Sequence, residues 1–213
     1  MTTVNPFTNP ALVSGYESWY QTTGRRADRL EKALLGRLLA GFPQARTLLE
    51  VGCGTGHFSR WFAGQGVRVV GLDRSLPMMA EAIRRGAPSC LHGDALALPF
   101  ADDTFDLVVL VTTLEFLHDP DQALAEAFRV ARQGLILGVL NRHSLLGRQL
   151  RVKGGPVWET ACLFTPAELS CLAQRAATGT QVHIVWRTTL WPLWTGALPL
   201  PWGGFIGLAA RLF

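Results

Sequence analysis

The sequence predicts an α/β fold built around a mostly parallel sheet with helices on both faces. Three short apolar runs carry this prediction, and they lie at Thr47–Val51, Val67–Leu72 and Phe105–Val111. Runs of this length and composition are typical of strands that are buried on both faces. Segments with helical leucine spacing or helix-start signals lie between and beside these runs, and such alternation of strands and helices favours a parallel sheet.

The composition bounds the size and the class of the protein. The chain has 213 residues, of which 48% are hydrophobic, and its mean hydropathy is +0.20. This is enough apolar material for one substantial core, so we expect one domain over residues 1–213. The net charge of +4 comes from 20 basic and 16 acidic residues and is too small to indicate nucleic-acid binding.

The cysteines and the first residues of the chain indicate the cellular compartment. The four cysteines form no C-x-x-C pair and have no histidines at zinc-site spacing, so we expect neither a metal site nor a disulfide framework. The first nine residues lack the basic region and apolar core of a secretion signal. We therefore expect a cytoplasmic protein with reduced thiols.

The first 40 residues predict a helical cap. The first ten are polar and contain two prolines, so we expect an irregular lead-in with order beginning near Ala11. Tyr16, Trp19 and Tyr20 follow, and Arg26–Leu39 has leucines at helical spacing. A cage of aromatic faces would suit a cationic ligand, although the same rings could simply pack a helix against the core.

The first apolar run continues into a glycine loop and a helix start. Gly52, Gly54 and Gly56 alternate directly after the strand, where they let the backbone turn sharply and approach a ligand that a Cβ would touch. The helix is expected to begin near Thr55. The second apolar run ends in Asp73, where a carboxylate can accept hydrogen bonds from both hydroxyls of a ribose.

The glycine spacing separates two classes of adenosine-bearing ligand. A dinucleotide loop has the pattern G-x-G-x-x-G, whereas this loop places Glu50 two residues before alternating glycines. The acid would compete with a pyrophosphate but could hold the ammonium group of an amino-acid tail. Asp73 would likewise repel a 2′-phosphate. S-adenosylmethionine has such a tail and no phosphate, so it fits this loop better than NAD or NADP.

Three ordered motifs resemble class I S-adenosylmethionine-dependent methyltransferases, in particular the type 11 group that includes the ubiquinone and menaquinone C-methyltransferases. The motifs are Leu49–Gly56, Gly71–Ser75 and Gly93–Asp106, and the resemblance covers about residues 16–140. It implies a Rossmann-like seven-stranded sheet whose last strand is antiparallel, and S-adenosylmethionine as cofactor. Residues 45–140 would then be the cofactor-binding half and residues 141–213 the acceptor-side half.

The resemblance also implies which residues contact the cofactor. Asp94 is expected to accept a hydrogen bond from the adenine amino group, and the backbone amide of Ala95 is expected to meet a ring nitrogen. Glu50 would hold the ammonium group and Asp73 the ribose. The full set of expected cofactor-binding residues is Tyr16, Tyr20, Glu50, Gly52, Gly54, Gly56, Asp73, Arg74, Asp94, Ala95 and Thr112.

Capping signals and apolar runs predict the remaining elements. Thr165-Pro166-Ala167-Glu168 has the form of a capping box and predicts a helix that ends near Ala177. The charge-free stretch at 188–210 is long enough to cross a bilayer, but its prolines and glycines disfavour a span. The other predicted elements are helices at 76–85 and 121–131 and strands at 89–92, 134–140, 181–186 and 205–212.

The acceptor site is expected at the carboxyl ends of the fourth and fifth strands, because ligands of open α/β sheets gather there. Glu115 and His118 follow the fourth strand, and Tyr20 in the cap has a hydroxyl group that could form a hydrogen bond in the same site. We expect these three to be the catalytic residues if the acceptor needs a base. Arg142 and His143 follow the fifth strand and are further candidates for polar contacts.

Two segments after residue 140 leave open how an acceptor is reached. Between Arg142 and Lys153 there are four cations and no acid, which indicates either a solvated helix face or a positive rim for an acidic substrate or a membrane. Trp191, Trp194 and Trp202 lie in a proline-interrupted loop. This pattern favours a buried pocket wall and leaves peripheral membrane contact as the alternative.

The sequence therefore predicts S-adenosylmethionine-dependent methyl transfer to a small, apolar or aromatic acceptor. A binding module that keeps the cofactor site without the chemistry is one alternative, and a NAD-dependent oxidoreductase is another. We expect no nucleic-acid partner and no metal. No motif identifies the acceptor itself.

Overall fold

The computed structural model describes residues 6–155 and 157–213. Within them, a seven-stranded sheet has the strand order β3-β2-β1-β4-β5-β7-β6. The strands are β1 (Thr47–Val51), β2 (Arg68–Asp73), β3 (Cys90–His92), β4 (Phe105–Val111), β5 (Ala131–Leu140), β6 (Val182–Thr189) and β7 (Phe205–Leu212). The helices are α1 (Pro10–Gln21), α2 (Arg25–Leu39), α3 (His57–Ala63), α4 (Leu76–Arg84), α5 (Pro120–Val130), α6 (Leu145–Lys153) and α7 (Pro166–Ala176). Two short 3-10 turns, Pro6–Thr8 and Leu114–Phe116, complete the list.

The strand order creates a crevice at the centre of the sheet. The chain first builds outward from β1 through β2 to β3 and then crosses back to β4 on the other side of β1. Strands β1 to β5 pair in parallel, whereas β7 pairs antiparallel with both β5 and β6. Ligands of open sheets bind outside the carboxyl ends at such a reversal. The predicted fold, including its antiparallel last strand, is confirmed.

Neighbouring residues of a strand belong to two different cores. Leu48 and Leu107 pack with the helices α2 and α3, whereas Leu49 and Val108 pack with α5 and α7 on the opposite face. These side chains are completely buried, as the alternation of side chains along a strand requires when helices cover both faces.

Several element boundaries differ from the predicted ones. Helix α3 begins at His57 rather than near Thr55, because Gly56 adopts a left-handed φ of 73° that still belongs to the preceding turn. Strand β5 begins at residue 131 and β6 continues to residue 189, so both are longer than their apolar runs indicated. The predicted capping box at Thr165 is present.

The N-terminal segment is more ordered than the expected lead-in. Residues 1–5 lie outside the described residues, but Pro6–Thr8 form a turn and α1 follows it directly. The Ser75 hydroxyl donates to the carbonyl of Phe7 at 2.8 Å, and the Phe7 ring meets Phe116 edge to face at 4.9 Å between centroids. These contacts hold the turn across the carboxyl ends of β2 and β4, so the expectation that order begins near residue 11 was wrong.

The charge-free stretch at 188–210 forms the end of β6, a loop and part of β7. Among the described residues, none of the helices combines the length and the apolar character needed to cross a bilayer. The sequence also predicts a flexible segment at Gly154-Gly155-Pro156, which follows α6, and its last residue lies outside the described residues.

Candidate functional site

A first cavity, which we call the strand-end cavity, lies at the carboxyl ends of β1, β2 and β4. Its volume is about 520 Å³. The expected cofactor residues that line it are Tyr16, Gly52, Gly54, Asp73, Arg74, Asp94, Ala95 and Thr112. Glu50, Gly56 and Tyr20 are not among the described residues that line it.

The three glycines of the loop have different reasons to be glycine. A Cβ on Gly54 would meet nothing within 4 Å, so it would project into open space next to the cavity. A Cβ on Gly52 would overlap Thr113 at 2.4 Å, and one on Gly56 would overlap the Cβ of Ala87 at 2.5 Å. Gly56 is therefore required by its close packing against Ala87 and against Ala82 of α4, and its expected contact with the cofactor stays a prediction.

Asp73 joins the glycine loop to the turn that follows β2. Its Oδ2 accepts from the Gly54 amide and its Oδ1 from the Ser75 amide, both at 2.7 Å. Burial raises the pKa of this carboxyl group, and the backbone hydrogen bonds oppose the rise. A carboxylate has about four lone-pair sites, so Asp73 keeps acceptor capacity for hydroxyl groups in the cavity.

The other walls of the strand-end cavity come from the segments after β3 and β4. Asp94 Oδ1 accepts from the Leu96 amide at 3.0 Å, which fixes the turn containing the buried Ala95. Thr112 has a φ of 51°, and its amide donates to the Gly138 carbonyl at 2.7 Å. A left-handed conformation is unusual for a threonine, and strain of this kind clusters at functional sites.

Glu50 is buried and is not among the described residues that line the cavity, so its expected contact with an ammonium group stays a prediction. It lies on the same face of β1 as Leu48, which α3 covers, and it accepts a hydrogen bond from the Ser59 hydroxyl of that helix. Burial raises the pKa of Glu50 to about 8 against the effect of this bond. The side chain therefore supports α3 behind the glycine loop.

A set of polar contacts, which we call the cap clamp, fastens α1 and α2 to the glycine loop. Glu17 accepts from the Thr55 hydroxyl at 2.6 Å and from Arg60 at 2.8 Å. Burial acts to raise the pKa of Glu17, but hydrogen bonds from His57, Thr55 and Arg60 outweigh it and lower the pKa to about 2. His57 Nε2 lies 2.6 Å from Asp28 of α2.

Sequence reasoning missed Glu17, although a signal was present. Val13 and Tyr20 are buried on α1, and Glu17 lies four residues after the first and three before the second. Residues at these spacings share one face of a helix. An acid on the buried face of a helix needs a partner, and the clamp supplies it.

A second cavity, which we call the cap cavity, lies beside the first. Its volume is about 960 Å³. Its aromatic walls are Phe7, Tyr16, Trp19, Tyr20, Phe116, Trp158, Trp191 and Trp202, and its aliphatic walls include Leu12, Leu140, Leu145, Leu146, Leu150, Val157 and Leu190. Phe7, Tyr16, Thr112 and Phe116 line both cavities. The two cavities therefore adjoin at these four residues.

Tyr20 lines the cap cavity, but its ring and its hydroxyl group are both engaged by other residues of the chain. Its ring stacks on His57 at 3.7 Å between centroids, and its hydroxyl is hydrogen-bonded to that of Tyr16. Burial raises the pKa of Tyr16 to about 12 and also raises the pKa of Tyr20. Both phenols remain protonated near neutral pH, so Tyr20 can donate a hydrogen bond but cannot act as a base.

Glu115 and His118, the other expected catalytic residues, lie apart from each other. Glu115 is buried and lines neither cavity in the described structure, because the turn at Leu114–Phe116 directs it toward β5, where its Oε1 accepts from the Leu140 amide at 2.7 Å. Burial raises its pKa to about 7. His118 is exposed and lines the strand-end cavity. The structure thus does not bring the expected catalytic trio together.

Glu31 is a carboxyl group in the cap cavity that sequence reasoning missed. It is 6% exposed, lines the cavity from α2, and has no hydrogen bond or ion pair within the described part of the chain. Burial raises its pKa to about 8, and the neighbouring charge of Asp28 adds to the rise. Leu34 and Leu35 are buried three and four residues further along α2, so Glu31 lies in the apolar stripe of the helix, and this was its signal.

The tryptophan loop is mostly exposed, so the expectation of a buried pocket wall was wrong for Trp194 and is met only in part by Trp202, which lines the cap cavity with an exposed side chain. Trp194 and Trp202 are 57% and 60% exposed, and Leu193 is 99% exposed. The loop follows β6, which is the edge strand of the sheet. Trp191 is half-buried and lines the cap cavity, and its carbonyl accepts from Arg26 at 2.6 Å.

The cations between residues 142 and 153 divide into two groups. Arg142 is paired with Glu168 at the start of α7. Arg148, Arg151 and Lys153 are exposed on α6 and have no ion pair in the described ranges. Arg148 and Lys153 line the cap cavity, so unpaired positive charge surrounds its opening together with the tryptophan loop.

Comparisons with known proteins agree with this architecture. A family model described as a methyltransferase domain matches residues 49–138. The demethylmenaquinone methyltransferase of Thermobifida fusca is 44% identical over 93 residues, which are 41% of this chain and 39% of that protein. The malonyl-[acyl-carrier protein] O-methyltransferase of Salmonella typhimurium is 35% identical over 122 residues, which are 57% of this chain and 46% of that protein. The chain thus spans less than half the length of these two relatives.

A solved structure extends the similarity to nearly the whole chain. The crystal structure of a S-adenosylmethionine-dependent methyltransferase from Thermotoga maritima, described as a possible histamine N-methyltransferase, superposes with a TM-score of 0.81 at 29% identity. The superposition covers 95% of this chain and 97% of that one. Together with the matched domain and the glycine loop, this similarity shows that the chain contains a methyltransferase domain with the fold of the class I S-adenosylmethionine-dependent methyltransferases.

Proposed function

We propose that the protein transfers the methyl group of S-adenosylmethionine to a small acceptor with an apolar or aromatic body. The observation that carries this proposal is the junction of two unlike cavities at Tyr16 and Thr112. One cavity has the glycine loop and acidic strand ends of a nucleoside site, and the other has walls of tryptophan and leucine. A methyl donor in the first would adjoin an acceptor in the second.

The strand-end cavity fits S-adenosylmethionine by three features. Gly54 leaves open the space that a Cβ would fill, and Asp73 and Asp94 present carboxylate oxygens that can accept hydrogen bonds from ribose and adenine. Asp73 would repel the 2′-phosphate of NADP, and the alternating glycines lack the G-x-G-x-x-G spacing of a dinucleotide loop. Aromatic rings at the junction, including Phe7 and Phe116, suit a cationic ligand.

When bound, S-adenosylmethionine supplies a methyl carbon made electrophilic by the positive sulfur. The residues of the chain have to hold both ligands in line and exclude water from between them. Phe7 and Phe116 close the junction with their edge-to-face contact, while the cap clamp keeps Tyr16 over the glycine loop. This arrangement supports positioning as the main contribution of the protein.

The cap cavity supports an acceptor of limited size with few polar groups. Its volume of about 960 Å³ lies at the upper end of the range for small-molecule pockets. The related proteins from Thermobifida fusca and Salmonella typhimurium are named for different acceptors. Because this chain is similar to both, the apolar walls of its own cavity are the better guide to the acceptor class.

Calorimetric titration with S-adenosylmethionine, S-adenosylhomocysteine and NAD, followed by transfer of a labelled methyl group to a panel of naphthols, quinols, amines and thiols, tests this function. We expect both sulfur ligands to bind, NAD not to bind, and at least one aromatic member of the panel to be methylated. Binding without transfer to any member would favour the alternative of a cofactor-binding module without chemistry. Binding of NAD alone would contradict the proposal.

We further propose that the acceptor is reached from a membrane surface. The exposed side chains of Leu193 and Trp194 project from the tryptophan loop, and Val152 is 89% exposed on the neighbouring α6. Unpaired Arg148 and Lys153 stand at the same opening. Exposed apolar and aromatic side chains beside unpaired cations fit the interface of an anionic bilayer.

Co-sedimentation with phosphatidylcholine vesicles, with and without phosphatidylglycerol, tests the membrane contact. We expect binding to the anionic vesicles that weakens with salt, and we expect Arg151→Gln to weaken it about fivefold, since one cation near such a surface contributes about 1 kcal/mol. Trp194→Ala should weaken it as well without touching the cavity wall. Ile83→Ala, which removes another exposed side chain on α4, is the matched control. Equal binding by all variants, or none by the native chain, would refute the contact.

A further inference from the structure

Glu31 is a buried carboxyl group in the wall of the proposed acceptor cavity. It lines this cavity from α2, and its charge acts on Tyr16, which belongs to the junction with the strand-end cavity. The side chain is buried, yet the described structure gives it neither a hydrogen bond nor an ion pair. Because the residue lines the cavity, its carboxyl oxygens are free to accept a hydrogen bond from a molecule that occupies the cavity.

Building on the methyltransferase function proposed above, we propose that Glu31 accepts the proton of the acceptor, and that the acceptor carries its methylated group as a hydroxyl on an aromatic ring. The hydroxyl oxygen forms a bond to the methyl carbon while the carbon–sulfur bond breaks and its electron pair stays on sulfur. Glu31 takes the hydroxyl proton. Charge and atoms balance, with a neutral thioether and a neutral carboxylic acid as products beside the methyl ether.

The surroundings of Glu31 favour a neutral acidic hydroxyl over other acceptors. The ionisable groups that act on it are Tyr16 and Tyr20 of α1, Asp28 and Lys32 of α2, His57 of α3 and Glu115 before α5. The acids among them oppose an anionic acceptor, which would need no base in any case. The apolar walls of Trp19 and Leu140 suit a ring. Burial raises the pKa of Glu31 to about 8, which is near the value at which a carboxylate is an effective base at neutral pH.

Binding of matched probes to the protein saturated with S-adenosylhomocysteine gives a readout that needs no turnover. We expect 2-naphthol to bind about fivefold more tightly at pH 8.5 than at pH 6.5, because an ionised carboxylate accepts a stronger hydrogen bond than a neutral one. Naphthalene should show no such change. In Glu31→Gln the pH dependence should vanish. Glu115→Gln should keep it but move its midpoint to lower pH, because a like charge near Glu31 is removed.

Turnover gives a second and independent readout. With 2-naphthol, kcat should rise with pH through about 8, and Glu31→Gln should lose roughly 100- to 10,000-fold, as is typical for removal of a general base. With 2-naphthalenethiol, which reacts as the thiolate, the loss should be small. Glu31→Asp should restore part of the rate with the naphthol. A structural role of Glu31 would lower both rates equally.

The outcomes separate this inference from the proposed function. If S-adenosylhomocysteine binds and 2-naphthol affinity is independent of pH, or is the same in Glu31→Gln, the role of Glu31 is refuted while the cofactor site stands. If 2-(aminomethyl)naphthalene binds more tightly than 2-naphthol to the native protein but not to Glu31→Gln, the hydroxyl acceptor is refuted in favour of an amine. If pH-linked binding is present but no probe is methylated, the proton acceptor stands and the transfer function fails.

Discussion

The strand-end cavity and the cap cavity share four wall residues but are built in different ways. The first is formed by loops that directly follow β1, β2, β3 and β4, and its polar contacts involve backbone amides such as those of Gly54 and Ser75. The second is formed by side chains from α1, α2, α6 and the tryptophan loop. The family model covers residues 49–138, which include nearly all of the first and little of the second.

This difference teaches which part of the site can vary. A cavity made by backbone at strand ends depends on the fold itself, because the loop positions follow from strand register. A cavity made by side chains from separate segments can change its shape without altering the sheet. The strand-end cavity therefore suits a common cofactor, and the cap cavity suits an acceptor particular to this chain.

The largest expected effect tests the backbone character of the strand-end cavity. Gly54→Val should abolish binding of S-adenosylhomocysteine, because its side chain would enter the space beside the cavity from a backbone with φ of 53°. Calorimetric titration measures the loss. Gly56→Val is the comparison: its side chain meets Ala87, so it should lower the melting temperature more than Gly54→Val does. Retained affinity in Gly54→Val would contradict the assignment of the loop.

The second prediction distinguishes the two regions by the pH dependence of the protein's stability. Burial raises the pKa of Glu50 and of Glu31 to about 8 from 4.5, so the folded state holds protons that the unfolded state releases between these values. The stability from these groups is complete below pH 4.5 and is lost as the pH rises to about 8. Each group contributes on the order of 3 to 5 kcal/mol of this loss, at about 1.4 kcal/mol per pKa unit.

Urea unfolding between pH 5 and pH 8.5 measures this dependence. Both Glu50→Gln and Glu31→Gln should flatten it, but only Glu31→Gln should alter 2-naphthol binding, because Glu50 lies behind the glycine loop. Below pH 4.5 the sign reverses for Glu17, whose pKa is lowered to about 2, and its stabilisation is lost as the pH falls toward that value. Stability that increases steadily from pH 5 to pH 8.5 would contradict these environments.

The same contrast explains what could be predicted from the sequence. Gly54, Asp73 and Asp94 line the strand-end cavity because they follow strand ends that the apolar runs mark, and their contacts with the cofactor stay a prediction. Glu50 and Glu115 are not among the described residues that line the cavities. Adjacent residues of a strand or tight turn point in opposite directions, and the sequence pattern did not show which direction led to the cavity.

The cap cavity could not be predicted from the sequence, because it is formed by contacts between distant segments that local sequence patterns do not contain. Glu17 and Glu31 were detectable as acids within the buried stripes of α1 and α2, but their partners and the cavity come from other segments. The exposure of Trp194 and Trp202 followed from the position of β6 at the sheet edge, which is a property of the whole topology. A proline-interrupted tryptophan loop alone is compatible with either a buried or an exposed position.

The smallest expected effect concerns how the tryptophan loop is held against the cap. Arg26 of α2 donates to the carbonyl of Trp191 at 2.6 Å and to that of Trp194 at 3.3 Å. Arg26→Gln should therefore raise hydrogen exchange of amides at residues 191–202 by a few-fold, since an exposed charge-assisted hydrogen bond contributes about 1 kcal/mol or less to local stability. Exchange in the glycine loop should not change.

Arg175→Gln, which removes a surface pair with Asp121 between α5 and α7, is the control. If the control loosened the loop equally, the tether would not be specific. If Arg26→Gln left the loop unchanged, its position would depend on Trp191 packing in the cap cavity instead, and the acceptor walls would be more rigid than a single tether implies.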